Sequence, residues 1–437
     1  MIRVPHETFH YKSWQDIDQT AASLGVTLPH SDELDVLKKP LMIGKHRAQN
    51  RIALQPMEGT DGTEAGSPGP LTLRRYLRFA QGGASLIWFE AVATAPEVRA
   101  SAHQLMLTEN NLDDFKRLVD EIREAGLRKN GYAPVLVMQA TNSGRYSKPH
   151  GYPEPLIAYN NPLFEDAPLP QRCILSDDQL KAYEERFGLT ARLAQAAGFD
   201  GMDIKCCHRY LASELLSAYT RPGAYGGSFE NRTRFLLNAY RAAKANIAGD
   251  FFLTSRLNVY DGFVYPYGFG VRPDTGLSPC LEEGVQLAGI LKRQMEIPIL
   301  NVTIGNPYKN PHVNRPYDRG NYVPDEHPFV GLDRMMRCVS EIQLSHPDLP
   351  VIGSAFSYLR QFAPQLAAGM VSQNRCAMAG FGRMAFADPE FPNKILSGRT
   401  LDAPCLTCGG CAQLLRAGSP SGCIIRDRDN YTLDALK

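Results

Sequence analysis

The chain has 437 residues, room for two or three average domains or for one (β/α)8 barrel with additions. Hydrophobic residues make up 43%, charged residues 21% and the net charge is +1, a soluble globular balance that points to neither nucleic acid nor an anionic membrane as a partner. No apolar run is long enough to span a bilayer, and the opening MIRVPHETFHYKSWQD lacks the apolar stretch of a secretory signal. Ten cysteines without such a signal point to a reducing, cytoplasmic compartment.

Short apolar runs alternate with amphipathic stretches along the chain. Residues 1–40 read as an added arm. Strands are predicted over 52–54, 84–89, 133–138, 201–205, 251–257, 297–302, 349–352 and 375–379. Helices are predicted between them, over 71–81, 112–125, 176–197, 231–247, 281–295, 331–346 and 359–368, with a short last one near 392–396. Ser176 reads as an N-cap, with Gln179 completing a capping box. Eight β-α units in order predict an α/β fold of the TIM-barrel kind, over residues 41–399. No G-x-G-x-x-G follows an early strand, as a dinucleotide-binding sheet would require. Two long loops, 140–175 and 303–330, follow the third and sixth strands, where a barrel places its catalytic face.

Two sets of residues carry chemistry. The seventh strand ends in Gly353-Ser354 and the eighth in Gly382-Arg383. Glycines there let backbone N–H groups approach a phosphate, and Arg383 adds a charge-assisted hydrogen bond. One such nest suits a mononucleotide such as FMN better than a dinucleotide. The second set is Cys405, Cys408, Cys411 and Cys423, in a short lobe over 400–437. Three cysteines on one tight loop and a fourth further on is the pattern of a 4Fe–4S cluster. Structural zinc, which prefers two separated knuckles, and plain thiols are the alternatives. The other six cysteines read as small buried hydrophobes.

With these segments on the page, the chain resembles the Old Yellow Enzyme family of FMN barrels. Within it the likeness is to the branch that carries a 4Fe–4S cluster and includes bacterial 2,4-dienoyl-CoA reductase and trimethylamine dehydrogenase. The resemblance runs from Leu41 to Cys423. NRIALQPM (50–57), GGASLIWFEA (82–91), QATNSGR (139–145), GFDGMDIKCCHRYL (198–211), YGGSFENRTRF (225–235), SRL (255–257), FGRMAFADP (381–389) and CLTCGGC (405–411) carry it. It implies that Pro56, Met57 and Ala91 line the flavin edge, Gln139 meets the pyrimidine end and Arg256 stands near N1 and O2. Gly353, Ser354, Gly382 and Arg383 are then the phosphate site.

The departures matter as much. The family's usual pair for a substrate carbonyl falls here on Lys205 and His208. The dienoyl-CoA reductases depart there too and use a tyrosine two residues on, which is Tyr210. A phenol stays protonated at neutral pH and can donate. His208 is the companion catalytic candidate, and Lys205, Arg209 and Asn142 are candidate substrate contacts. Where that branch has a histidine on the loop after the sixth strand, this chain has Asn306 and Pro307, with His312 nearby. The long relatives continue into domains for a second flavin and NADPH, whereas this chain stops soon after Cys423. The expectation is therefore a separate flavoprotein or ferredoxin donor, with NAD(P)H as a direct or indirect source. The reading is a reductase of a C=C bond conjugated to a carbonyl, monomeric or oligomeric. An amine dehydrogenase, with Tyr260, Tyr265 and Tyr267 as an aromatic cage, and a non-catalytic electron-transfer subunit remain as alternatives.

Overall fold

A computed structural model describes residues 6–436; the first five residues of the arm and the last residue of the lobe lie outside the described residues. Eight parallel strands close into a barrel ringed by helices. They are β1 (Ile52–Leu54), β2 (Leu86–Ala93), β3 (Val135–Thr141), β4 (Gly201–Ile204), β5 (Phe252–Thr254 and Arg256–Asn258), β6 (Leu300–Thr303), β7 (Val351–Gly353) and β8 (Met378–Phe381). Neighbours pair in chain order and β8 pairs back to β1, Ala379 opposite Ile52. Every strand residue is buried, which is why these segments read as unbroken apolar runs rather than alternating ones.

The helices that cover the barrel are α1 (Pro70–Gln81), α2 (Leu112–Asn130), α3 (Asp177–Ala196), α4 (Phe229–Lys244), α5 (Glu282–Met295), α6 (Pro328–Ser345), α7 (Ala363–Ser372) and α8 (Phe391–Leu396). Ser176 caps α3 with Gln179 as its reciprocal partner, as the sequence predicts. Three features go beyond the expected pattern. A hairpin, Leu41–Ile43 paired with His46–Ala48, buries Ile43 and Ala48 against Ala53, Leu86, Trp88, Val137, Ile299 and Ile352, residues inside the barrel. It is too short to show a strand period. A six-residue helix, Leu211–Leu216, follows β4 inside a region that reads as a loop. And β5, predicted as one strand, is broken at Ser255.

The break has a cause. The carboxylate of Asp203, pointing into the barrel from β4, takes the backbone N–H of Arg256 at 2.7 Å, so that N–H is lost to the ladder. Beyond the break, Cys206 donates its N–H to the Arg256 carbonyl at 3.1 Å and Asn258 donates to Cys206 at 2.8 Å, which closes the ring.

The described part of the arm is packed on the barrel wall. Phe9, Tyr11, Ile17, Leu28 and Leu37 are buried in the main core, and Tyr11 stacks on Phe329 of α6 at 4.8 Å. The C-terminal lobe lies over the catalytic face. Arg74 and Arg78 of α1 each reach the Asp427 carboxylate at 2.7 Å, and Ser421 donates its N–H to Gly59 at 2.7 Å. No helix among the described residues is long and apolar enough to cross a membrane.

Candidate active site

The C-terminal ends of the strands open into a cleft of about 1100 Å³, counted with its mouth. The structure brings Pro56, Met57, Ala91, Gln139, Lys205, His208, Tyr210, Arg256, Ser354, Gly382 and Arg383 to its walls. Gly353 stands one residue inside, at the end of β7, its carbonyl taking the Gln55 amide at 3.3 Å. Arg209 and Asn142 do not reach the cleft. Asn142 turns back to accept the Gly144 N–H at 3.0 Å. Arg209 is fully buried beneath the floor, paired with Asp261 at 3.1 Å and hydrogen-bonded to the Tyr267 carbonyl at 2.8 Å and the Tyr159 hydroxyl at 3.2 Å. The turn after β4 explains the split. His208 and Arg209 both adopt left-handed backbone, φ +63° and +58°, a strained choice for two non-glycine residues in a row. That turn sends His208 and Tyr210 to the cleft and Arg209 under it.

One end of the cleft is built on Asp203. Besides the Arg256 N–H it accepts the Trp88 indole at 2.7 Å and the Gln139 amide nitrogen at 2.6 Å, and burial pushes its carboxyl up to about 6. Gln139 is thus held by one end of its amide. The Arg256 side chain is 8% exposed, and its Nε is buried without a partner. Burial lowers its pKa, as expected for a guanidinium with no carboxylate ion pair.

At the other end, Arg315 and Arg383 share the wall with Ser354 and Gly382. Arg383 donates to the Pro316 carbonyl at 3.0 Å and Arg315 to Asn314 Oδ1 at 3.2 Å. Burial, and then the Arg383 charge, drag Arg315 down to about 10. Two neighbouring guanidiniums that repel each other, Arg383 buried and Arg315 half-buried, mark a place for an anion. A side chain at Gly382 would bring a Cβ within 2.7 Å of Met57 Sδ, so the Met57 side chain would have to move aside.

Between the ends stands the Tyr210 hydroxyl, 3.0 Å from that of Tyr308, with the Lys205 ammonium 3.4 Å from the centre of its ring. Burial first, then Tyr308 and Glu58, raises the Tyr210 phenol well above its usual range, so it keeps its proton. His208 is neutral, since burial and then Arg256 and Lys205 push it well below the usual imidazole range. Asn314 presents its amide nitrogen to the Ile304 carbonyl at 2.8 Å and to His208 Nε2 at 3.2 Å. Because a carbonyl only accepts, the Asn314 amide nitrogen is a donor, which it shares between His208 Nε2 and Thr303 Oγ1 at 3.2 Å each, and this favours the His208 proton on Nδ1. His312 lies elsewhere, hydrogen-bonded to Tyr322, while Pro307 lines the cleft.

The four cysteines line a second, smaller cavity in the lobe. Thr407 and Arg426 donate backbone N–H groups to Cys405 and Cys423 Sγ, each at 3.4 Å, and burial raises Cys405 to about 12. Cys411 and Arg383 line both this cavity and the cleft, so the two share a wall. Among the described residues no three His, Cys, Asp or Glu side chains converge tightly enough to hold a single metal ion. Glu58, Tyr308 and Arg315 are wall residues that the sequence did not single out. Glu58 had a signal, a charged residue directly after the apolar strand and Pro56-Met57; Tyr308 and Arg315 sit in the irregular 303–330 loop and had none.

The model of the NADH:flavin oxidoreductase / NADH oxidase family matches residues 36–268, more than half the chain. The chain belongs to that family. The family's cofactor is FMN, and its members are oxidoreductases working with NADH or NADPH. The chain is 27% identical over 410 residues to a cinnamate reductase of Clostridium sporogenes, covering 90% of this chain and 58% of that protein. It is 30% identical over 247 residues to an NADPH dehydrogenase of Bacillus pumilus, covering 55% of this chain and 69% of the relative. It spans little more than half the length of the longer relative. The fold is that of a solved 2-naphthoyl-CoA reductase, with a TM-score of 0.75 at 21% identity over 90% of this chain and 57% of that one.

The Asp203 network makes a first test. Asp203→Ala would strand the Trp88 indole, the Gln139 amide and the Arg256 N–H at once. Each stranded donor costs about 1–3 kcal/mol, so the loss is expected to reach about 3 kcal/mol or more, read as a lower midpoint in chemical denaturation. A midpoint within error of the parent would show that the network carries no such constraint.

Proposed function

We propose that this chain is an FMN- and 4Fe–4S-dependent reductase of a C=C bond conjugated to a carbonyl. The observation that carries the reading is Tyr210, a protonated phenol aimed into the cleft, braced by Tyr308 and lying between the two polar ends. The reading makes residues 41–399 the FMN barrel and 400–437 the cluster lobe, in a cytoplasmic protein.

The residues fit FMN. The buried, unpartnered Arg256 Nε and the tethered Gln139 suit the pyrimidine end of a flavin, and a cation there favours the anionic reduced form. Arg315, Arg383, Ser354 and Gly382 suit its phosphate. FMN, when bound, supplies the hydride that adds to the carbon β to the substrate carbonyl. His208 Nδ1–H is free to donate to that carbonyl, and the Lys205 ammonium adds positive charge beside it. Tyr210 then gives its phenolic proton to the α-carbon. The wall of the cleft, with Tyr308 and Pro307 over it, keeps the reacting carbon from bulk water.

The lobe fits an iron–sulfur cluster better than zinc. Four sulfurs ring a cavity instead of meeting at the one point that a tetrahedral ion needs. Two of them already receive backbone N–H groups, which stabilise thiolates. A cluster held there passes electrons singly, and the wall shared through Cys411 and Arg383 puts it beside the phosphate end of the cleft. Electrons then arrive from a flavoprotein or ferredoxin, with NAD(P)H as their ultimate source. Amine oxidation is less well supported. Tyr260, Tyr265 and Tyr267 do not line the cleft, and the cations Lys205 and Arg256 face any ammonium placed there. A purely electron-carrying role leaves the positioned Tyr210 without a purpose.

Three expected outcomes follow from this reading. The anaerobically purified protein should contain iron and acid-labile sulfide in equal amounts, and Cys408→Ala should lose the broad visible absorbance; stoichiometric zinc without sulfide would refute the cluster. Arg383→Ala should weaken FMN binding by about 1.5–3 kcal/mol, the scale of a charged hydrogen bond, measured by fluorescence titration of the apoprotein. Unchanged affinity would move the phosphate elsewhere. Tyr210→Phe keeps the ring and removes the proton. Reduction of bound flavin by dithionite should be unaffected, while reoxidation by an enone or enoate should slow by about 10²–10⁴-fold in stopped-flow. A parental reoxidation rate would make Tyr210 a packing residue.

A further inference from the structure

In the proposed reaction Tyr210 loses a proton at every turnover, yet it is only 2% exposed and its hydroxyl is hydrogen-bonded to a second phenol. Its proton must come back by some path. On the far side of Glu58 and Tyr308 lies another cavity, about 900 Å³ with its mouth, bounded by Thr60, Ser101, His103 and Lys148. Glu58 and Tyr308 line both this cavity and the catalytic cleft. Glu58 Oε1 is buried with no hydrogen-bond partner. The Ser101 hydroxyl, 7% exposed, is also unpartnered. Buried polar atoms left open in this way normally face a mobile proton, water or ligand.

We propose that Glu58 and Tyr308 form the proton-uptake route of the active site, carrying protons from the second cavity to Tyr210. The inference rests on Tyr210 as the proton donor. After Tyr210 has protonated the substrate carbon, its phenolate takes the Tyr308 proton across the 3.0 Å hydrogen bond. Tyr308 takes one from the Glu58 carboxyl, directly or through one water, and the Glu58 carboxylate recovers a proton from water in the second cavity. One solvent proton enters per turnover and no electrons move along the route. Tyr308 is fixed for the task, since its backbone N–H is held by Asn306 Oδ1 at 2.8 Å and its ring stacks on Tyr146 at 4.0 Å.

The electrostatics agree. Burial pushes Glu58 up to about 7, while Lys205 at the end of β4 pulls it down and Glu90 of β2 pushes it up. The Glu58 charge acts on the phenols of both Tyr210 and Tyr308, and His103, Lys148 and Arg416 border the second cavity. Burial, and then the Glu58 charge, raise Tyr308, which favours its protonated form and its prompt reprotonation. With its pKa raised, Glu58 holds its proton below about pH 7 and loses it as the pH rises through that value.

Double-mixing stopped-flow with excess dithionite tests the route. FMN-loaded protein is given one equivalent of an enone, then a second. In the parent both should be reduced alike. In Glu58→Gln the second should lag the first by about 10²-fold, the scale of a lost proton transfer. Equal rates for the two equivalents in that variant would overturn the route. If the parent reduces neither, it is the reductase reading that fails, and infrared spectroscopy of the substrate-free protein decides the route. In the difference spectrum between the parent and Glu58→Gln, a protonated-carboxyl band should fade as pH rises through about 7, and its midpoint should shift in Tyr308→Phe. A missing band, or one unmoved by Tyr308→Phe, would overturn it. Should Glu58→Gln fail to fold, Tyr308→Phe in the double-mixing experiment makes the same comparison.

Discussion

A carboxylate inside a barrel has to be satisfied, and Asp203 is satisfied by three donors from three strands: the Trp88 indole of β2, the Gln139 amide of β3 and the backbone N–H of Arg256 on β5. Each bond has a structural consequence. Taking the Arg256 N–H breaks β5 at Ser255 and offers the Arg256 side chain to the cleft. Holding one end of Gln139 fixes the orientation of the other. Anchoring Trp88 stiffens the apolar layer that the Leu41–Ile43 hairpin closes from below. One buried acid thus ties the interior of the barrel to the geometry of its catalytic face, and a hydrophobic residue of the same size could pack there without doing either.

The cleft is a place of surplus positive charge. Lys205, Arg256 and Arg383 are buried on its walls with Arg315 half-buried beside them, and Glu58 is the carboxylate among the wall residues. Desolvation lowers the pKa of Lys205, Arg256 and Arg315, which means that each is paying for its position. Such an arrangement is stable when anionic groups complete it, and a flavin phosphate at one end with an electron-rich ring at the other would do so. Burial, and then the same charges, hold His208 neutral.

Most of the barrel was legible because parallel strands buried on both faces read as apolar runs, and helices between them show a 3.6-residue period. Strand ends shifted by a few residues, and the hairpin at Leu41–Ile43 was too short to read. The position of a residue on the cleft wall was legible where a strand end sets it, as for Gln139 and Arg256. It was not legible where the chain reverses locally. Nothing in Cys207-His208-Arg209-Tyr210 announces two left-handed residues, and so Arg209 was expected in the cleft although it lies beneath it. Tyr308 and Arg315 come from a loop with no period, and the residues they meet at the cleft, Tyr210 and Arg383, are more than fifty residues away.

Anomalous diffraction at the iron edge, on crystals of anaerobically purified protein, tests the central arrangement most directly. The account predicts a compact iron density in the chamber of Cys405, Cys408, Cys411 and Cys423, and an FMN whose phosphate lies between Arg315 and Arg383, across the wall formed by Cys411. A single zinc ion in that chamber, or a flavin whose phosphate lies away from those two arginines, would contradict it.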